Sequence, residues 1–300
     1  MRRRGSAIVA AAVALVAVVA AVDAIRGSSG AADDAPSQAA PTAARKLEAR
    51  GIHGVLHVTV RRGDGCRLES VRLPDLERSG EREVPSCRVR VSEAGNVAVG
   101  DPCPADELVV LTATGTIDLE GCAPAWRPDG TLTFVRNGSV VALTPRCGPV
   151  AACIETLVPK SRLPGPIVDL AWVSDVGAAM LVIRDQGNGR SLVIVLDRTV
   201  VGDVGPQPAS LQAVPGGFGL RIARNSLAGV FHVDRRGRVP RVQYLPRSLA
   251  DGRALAVSPD RRWVASTSRG KLEIYRLGVA RPLDPVELPL DVADVGWAGS

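Results

Sequence analysis

The chain has 300 residues, of which 46% are hydrophobic and only 3% aromatic, and its formal net charge is +6. This composition is sufficient for a folded core, and the length allows either two average domains or one large all-β domain. Half of this net charge lies in the first 50 residues, because residues 51–300 contain 30 basic and 27 acidic residues. A near-neutral domain has no strong attraction to polyanions, so we expect no nucleic-acid partner.

The N-terminus has the pattern of a membrane anchor. Three arginines at positions 2–4 precede an uninterrupted apolar run over residues 7–22. About 20 apolar residues span a bilayer as a helix, and positive charge before such a run keeps the N-terminus in the cytoplasm. We therefore predict a signal-anchor transmembrane helix over residues 1–26, a single-pass protein of the cell membrane and an extracytoplasmic C-terminal domain. Cleavage as a signal peptide near Val22-Asp23-Ala24 is the alternative.

Residues 27–50 are predicted to be a flexible linker between the membrane and a folded domain over residues 51–300. The segment is rich in alanine, serine, glycine and proline and has almost no large apolar side chain, so it cannot bury a core of its own. Its last part, residues 43–50, could form a short helix. We expect the linker to hold the domain away from the bilayer.

Beyond the linker, short apolar strands alternate with turns, which is typical of an all-β fold. The clearest turn is Pro128-Asp129-Gly130, between a strand that ends at Trp126 and one that begins at Leu132. Proline presets φ at the turn corner, aspartate can bond its own backbone, and glycine accepts a positive φ. This pattern predicts a β-hairpin in which Asp129 holds the turn, and Asp260 has the same position in a later turn.

The same hairpin pattern returns along the chain with steps of 35 to 46 residues. Equivalent turn positions are Glu93, Pro128, Ser174, Pro215 and Pro259. Four strands with their turns need this length of chain, which is the period of a β-propeller blade. One further period places Trp297 in phase and predicts a strand there, and this strand would be an exposed edge if it had no partner. If it pairs with the strands of residues 55–73, it completes a sixth blade. We therefore predict an all-β, six-bladed β-propeller closed by both chain ends.

Two of these repeats carry a more specific pattern. Residues 125–130 read Ala-Trp-Arg-Pro-Asp-Gly, and residues 257–261 read Val-Ser-Pro-Asp-Arg. Both resemble the TolB-type, WD40-like propeller repeat, whose core reads roughly Ala-Trp-Ser-Pro-Asp-Gly. The resemblance implies a six-bladed propeller outside the cytoplasm that serves as a binding scaffold. No partner and no binding residue of the family is carried over, because this chain has a membrane segment and a linker where TolB has an α/β domain.

Six cysteines lie beyond the apolar run, all in the first half of the chain: Cys66, Cys87, Cys103, Cys122, Cys147 and Cys153. An even number of cysteines outside the cytoplasm indicates structural disulfides. Sequential pairing, 66–87, 103–122 and 147–153, is the simplest of the possible connectivities. The spacings do not include the CxxC of a zinc site, so we expect no metal there.

Three tryptophans, Trp126, Trp172 and Trp297, share one phase of the repeat. Packing between blades is one interpretation of this pattern. The other is a partly exposed aromatic surface at the mouth of the central channel, where the indoles would bind a glycan or a peptide.

These features favour a membrane-tethered, non-catalytic binding scaffold. We expect it to need no cofactor and to bind an envelope protein, a peptide or a glycan through the loops and the channel mouth, where the repeats differ. The chain lacks the G-x-S-x-G elbow of a hydrolase domain. The alternative is a propeller enzyme, lactonase- or hydrolase-like, with a metal in the central channel held by carboxylate and asparagine side chains from several blades.

Overall fold

The computed structural model of the protein describes residues 39–63, 65–112, 115–143, 153–173, 178–184, 191–195, 200–205, 210–214, 217–222, 227–232, 241–244, 254–268, 271–277 and 285–299. The transmembrane helix predicted over residues 1–26 lies outside these ranges. Among the described residues, we find no helix with the length and hydropathy of a membrane span.

The described residues contain one α-helix, α1 (Ala39–Ala49), and 24 β-strands that form six four-stranded antiparallel sheets. Sheet A contains β1 (Gly54–Arg62), β2 (Gly65–Leu73) and β3 (Glu77–Val84). Sheet B contains β4 (Val89–Val91), β5 (Val97–Gly100), β6 (Glu107–Thr112) and β7 (Gly115–Glu120). Sheet C contains β8 (Cys122–Trp126), β9 (Leu132–Arg136), β10 (Ser139–Leu143) and β11 (Ile154–Val158). Sheet D contains β12 (Ile167–Val173), β13 (Ala178–Arg184), β14 (Ser191–Val195) and β15 (Val200–Gly205). Sheet E contains β16 (Ser210–Val214), β17 (Gly217–Ile222), β18 (Leu227–His232) and β19 (Arg241–Tyr244). Sheet F contains β20 (Leu255–Val257), β21 (Trp263–Ser268), β22 (Lys271–Arg276) and β23 (Val286–Leu288). The last strand, β24 (Asp294–Ala298), joins sheet A.

The two ends of the domain meet in sheet A, whose strand order is β24-β1-β2-β3. β1 and β24 pair antiparallel, with Val55 opposite Ala298 and Thr59 opposite Asp294. The Ala293 N–H also donates to the Thr59 carbonyl at 2.6 Å. The predicted pairing of the last strand with the strands of residues 55–73 is therefore confirmed.

One edge strand of each sheet contacts the corresponding strands of the two neighbouring sheets. In cyclic order these strands are β24, β4, β8, β12, β16 and β20, and the last contacts the first. The described strands thus close into a ring, and we call these edge strands the inner strands.

Apolar side chains fill the spaces between neighbouring sheets. Between sheets B and C, Leu108 and Val110 pack with Leu132 and Phe134, and all four side chains are at most 2% exposed. Similar clusters lie between sheets A and B, sheets C and D, and sheets F and A. Burial of one side chain of this size contributes about 1.5–3 kcal/mol, so these clusters hold neighbouring sheets face to face.

Helix α1 packs against this core, although it lies inside the segment predicted to be a linker. Ala43 and Leu47 are four residues apart and therefore share one face of the helix. They are 3% and 0% exposed and join Ile52 in the cluster between sheets A and F. The short helix is present and begins earlier than expected, so residues 39–50 belong to the packed fold.

Two of the three predicted disulfides are present. Cys66 bonds to Cys87, and Cys103 bonds to Cys122, with Cα atoms 5.2 Å apart in both pairs. The first bond joins sheet A to the segment that leads into sheet B, and the second joins the loop after β5 to β8. Cys147 lies outside the described residues, so its pairing with Cys153, which is buried, stays a prediction.

We expect His57 on β1 to make the stability of the fold depend on pH. Its Nδ1 lies 3.0 Å from the Ser70 hydroxyl on β2. Burial lowers the pKa of the imidazole from 6.5 to about 4. The native side chain is therefore neutral at pH values where an unfolded chain already binds a proton.

We expect the free energy of unfolding to fall as the pH drops from 6.5 to about 4, because only the unfolded state gains a proton at His57 in that window. The loss from this residue would be about 2 kcal/mol, since the side chain is only partly buried. The His57→Gln variant keeps a hydrogen-bonding group opposite Ser70 but does not titrate. Urea unfolding across this range should show a shallower decline for the variant, and parallel declines would contradict the assignment.

Candidate functional site

Charged side chains from three sheets meet inside the ring. Asp294 of β24, Asp169 of β12 and Arg90 of β4 are each at most 8% exposed. Arg90 lies between the two carboxylates, with nitrogen–oxygen distances of 3.6 Å to Asp294 and 3.7 Å to Asp169. Arg88, just before β4, lies 3.7 Å from Asp169. We call these four residues the inner charge cluster.

Backbone hydrogen bonds hold both carboxylates of the inner charge cluster. Asp294 accepts one bond from the Val295 N–H of its own strand and one from the Val89 N–H of β4, both at 3.0 Å. Asp169 accepts the equivalent own-strand bond from Leu170, also at 3.0 Å. The Val89 bond crosses from sheet B to sheet A, so Asp294 connects the two sheets directly.

The chemistry of the inner charge cluster suits a structural role. Burial raises the pKa of Asp294, and the positive charges of Arg90 and Arg88 oppose this rise. Among these four residues, two guanidinium groups balance two carboxylates, so the four together leave no excess negative charge for a cation. In the described part of the chain, no three His, Cys, Asp or Glu side chains are close enough to share a metal ion.

The sequence contains a signal for this cluster that the repeat alignment did not use. Asp169 and Asp294 each lie three residues before an in-phase tryptophan, in Asp-Leu-Ala-Trp and Asp-Val-Gly-Trp. Arg88 has the same repeat position in sheet B. Equivalent positions on the inner strands of a ring face a common interior, so opposite charges at one position predict ion pairs there.

The three in-phase tryptophans lie in three separate core clusters rather than in one site. Each indole N–H donates to an acceptor on another segment: Trp126 to the Arg90 carbonyl at 3.1 Å, Trp172 to the Thr133 hydroxyl at 2.7 Å, and Trp297 to the His53 carbonyl at 3.3 Å. Trp172 and Trp297 are only 7% exposed. We therefore expect them to stabilise contacts between sheets, and a binding role at the channel mouth stays a prediction.

The aspartates of the two specific repeats hold their turns, as predicted. Asp129 accepts a hydrogen bond from the Thr131 N–H at 2.9 Å, and Asp260 accepts one from the Arg262 N–H at 3.1 Å. Both carboxylates are therefore engaged in local turn geometry.

A cleft of about 1240 Å³ opens where sheets B, C and D come together. Its walls are turns and strand ends: the loop at residues 103–106, the link at 120–122, the turn at 136–138, the segment 160–168 that leads into β12, and Arg184 at the end of β13. Sequence reasoning singled out none of these residues as a binding site, because each lies in an ordinary turn or at a strand end within its own repeat.

Comparisons with known proteins identify the fold. No protein-family model matches the chain, and no curated protein matches it significantly. Among solved structures, it is similar to TolB from Acinetobacter baumannii, with 15% identity and a TM-score of 0.52, over 82% of this chain and 67% of that one. It is also similar to the β-propeller domain of Cps50 (Swd1) from Myceliophteria thermophila, with 12% identity and a TM-score of 0.50, over 81% and 90% of the two chains. The fold is a TolB-like, WD40-like β-propeller. At these identities the likeness shows the fold alone.

The cleft and the inner charge cluster share one end of the propeller. Asp169 and Asp294 lie near the starts of their inner strands, and the cleft is lined by Ile167 and Val168, immediately before Asp169. The side chains of Asp169, Asp294 and Arg90 are buried at this end. The cleft is therefore an open space beside the buried inner charge cluster, at the end of the propeller where the inner strands begin.

The propeller loop at residues 103–106 is attached at three points. Cys103 is bonded to Cys122 of sheet C, and its N–H donates to the Val168 carbonyl of sheet D at 2.9 Å. The Gly121 N–H donates to the Asp106 carbonyl at 3.0 Å. A loop from sheet B is thus fixed to sheets C and D, which keeps this wall of the cleft in place before any ligand arrives.

Proposed function

We propose that the protein is a six-bladed propeller in which each of sheets A to F is one blade, and that it is a non-catalytic binding scaffold tethered to the cell membrane. Residues 1–26 would be the signal-anchor helix, and the propeller would lie outside the cytoplasm. Its ligand would be a protein or another component of the cell envelope. The cyclic contacts of the inner strands and the pairing of β1 with β24 support the blade count.

The two disulfides support the location outside the cytoplasm. Disulfides persist in oxidising compartments and are rare in the cytoplasm. Both bonds lie beyond the apolar run that follows the three N-terminal arginines. That arrangement is typical of a chain whose C-terminal part is translocated out of the cytoplasm.

The observation that carries the binding function is the cleft between sheets B, C and D. Its volume of about 1240 Å³ exceeds the roughly 300–1,000 Å³ of ordinary small-ligand sites. Because the disulfide and the hydrogen bonds already hold one wall, binding would cost little conformational entropy there. A preformed surface of this size suits a macromolecular ligand.

The inner charge cluster supports a scaffold rather than a metal enzyme. A metal in the interior would need carboxylate ligands, and the two carboxylates of the cluster, Asp169 and Asp294, are engaged by Arg88 and Arg90. A cation would have to displace these guanidinium groups.

The lysines of the chain allow a direct test, because there are only three: Lys46, Lys160 and Lys271. Lys160 lines the cleft, whereas Lys271 is 64% exposed on β22 of sheet F. Spheroplasts that carry the full chain would be treated with a membrane-impermeant, amine-reactive reagent that bears a photoactivatable group. Cross-linked adducts are then separated after illumination.

We expect an adduct that disappears in the Lys160→Arg variant and persists in the Lys271→Arg control. Arginine keeps the positive charge but does not react with the reagent. An adduct that persists in Lys160→Arg would contradict binding in the cleft. Labelling that occurs only after lysis would contradict the extracytoplasmic location.

A further inference from the structure

We propose that the cleft binds an extended, acidic segment of a partner protein. This inference rests on the proposed function, because it names the chemistry of the ligand for the same cleft. It is carried by three properties of the lining: an excess of positive charge, an apolar surface rich in proline, and backbone carbonyls that are already occupied.

The lining carries more positive than negative charge. Arg136, Lys160 and Arg184 face Asp106 and Glu120. Glu120 accepts a hydrogen bond from Arg136 at 3.3 Å, so this pair is neutral. Lys160 and Arg184 are exposed, and neither has an ion-pair partner within the part of the chain that the structure describes. Two cations therefore remain against one carboxylate, which favours an anionic ligand.

Lys160 is positioned before a ligand binds. Its backbone N–H donates to the Ser139 hydroxyl at 3.1 Å. Its side chain lies across the turn at residues 136–138, so closely that a Cβ added to Gly138 would come within 3.0 Å of the Lys160 Cδ. The ammonium group thus extends from a stem that is packed against the turn, and little side-chain entropy is lost when it pairs with a carboxylate.

Much of the remaining surface is apolar. Pro104, Pro164 and Pro166 are exposed, and Leu163 is half-buried beside them. Apolar side chains of a ligand can pack on these rings. The volume of about 1240 Å³ leaves room for several residues of an extended chain.

The backbone of the segment that leads into β12 is largely unavailable for pairing with a strand of the ligand. The Pro166 carbonyl accepts from the Arg184 N–H, and the Val168 carbonyl accepts from the Cys103 N–H, both at 2.9 Å. Prolines have no N–H to donate. Recognition therefore depends on ligand side chains, with apolar groups against the prolines and carboxylates against Lys160 and Arg184.

An acidic peptide fits this lining better than an anionic polysaccharide. No side chain that lines the described cleft is aromatic, and an aromatic face is the usual platform for a flat or ring-shaped ligand group. The prolines and Leu163 instead suit the aliphatic side chains of a peptide.

The test uses the purified full chain in detergent and measures the fluorescence anisotropy of short labelled peptides. The probe peptide contains glutamate, leucine and proline, and its control carries glutamine in place of every glutamate. We expect the acidic peptide to bind about tenfold or more tightly than the control. Added salt should weaken its binding, because exposed charges are screened.

Two double variants separate the cleft from the rest of the surface. Lys160→Gln with Arg184→Gln should weaken binding of the acidic peptide by about tenfold or more. The matched pair Lys271→Gln with Arg276→Gln removes the same two charge types from exposed positions on β22 and should leave binding unchanged. Thermal melting of both proteins verifies that they are folded.

Equal binding of the acidic and neutral peptides would overturn the inference, as would equal losses in the two double variants. Binding of polygalacturonate without binding of the acidic peptide would also overturn it and would assign the cleft to an anionic glycan. In each of these three cases the Lys160 cross-link in spheroplasts would still support the proposed function. An adduct that persists in Lys160→Arg would instead refute the proposed function itself.

Discussion

Removal of residues 291–300 is expected to abolish cooperative unfolding of the domain. The deletion removes β24, whose five residues are all buried, and with it the ladder to β1. Val295 and Trp297, at 0% and 7% exposure, belong to the core between sheets F and A. Burial of each such side chain contributes about 1.5–3 kcal/mol. Together with the lost ladder, this approaches the whole stability of a typical domain, about 5–15 kcal/mol.

Thermal unfolding followed by near-UV and far-UV circular dichroism would measure this effect. The control is a deletion of residues 299–300 alone, since Gly299 is exposed and lies beyond β24. We expect the control to melt like the full chain. If the longer deletion kept the melting temperature and the cooperativity of the full chain, the closure of the ring through β24 would be refuted.

Replacement of Asp294 by alanine is expected to destabilise the protein by about 3 kcal/mol or more. The change removes one of the two carboxylates beside Arg90. It also removes the carboxylate oxygen that accepts the hydrogen bond of the buried Val89 N–H. Loss of one partner of a buried ion pair is costly, because the remaining charge and donor keep their desolvation penalty. Asp294→Asn keeps an amide oxygen for the N–H and should cost less than the alanine variant.

Glu287→Ala is the matched control for this prediction. Glu287 and Lys271 form an ion pair at 3.2 Å with side chains 56% and 64% exposed. Removal of such a surface pair should change the free energy of unfolding by about 1 kcal/mol or less. Urea titrations of the three variants give the comparison, and similar losses for Asp294→Ala and Glu287→Ala would show that the inner charge cluster does not hold the sheets together.

Local chemistry explains why much of this fold could be predicted. The turn at Pro128-Asp129-Gly130 depends on the backbone limits of three neighbouring residues, and Asp129 holds it through the Thr131 N–H. The repeat phase then supplies a long-range constraint. The strand in phase at Trp297 needs a partner strand, and the strands of residues 55–73 can supply one.

Other features depend on contacts that no local pattern contains. Leu47 is a single large apolar residue in a polar segment, and only its contact with Ile52 and the core between sheets A and F makes it part of the fold. Lys160 lies in the link between sheets C and D, and Arg184 is the last residue of β13 in sheet D. Only the folded chain brings them to one cleft.

The sequence by itself determined the β-rich repeats and the pairing of the first and last strands, and it favoured the disulfides 66–87 and 103–122 as part of the simplest connectivity. The repeats and the strand pairing follow from turn chemistry and from regular spacing, which are properties of the chain before it folds. Only the tertiary structure decided that Arg90 lies between Asp169 and Asp294, and that loops from sheets B, C and D surround one cleft. Closure of the ring sets side chains of non-neighbouring repeats opposite one another, and their chemistry depends on that juxtaposition.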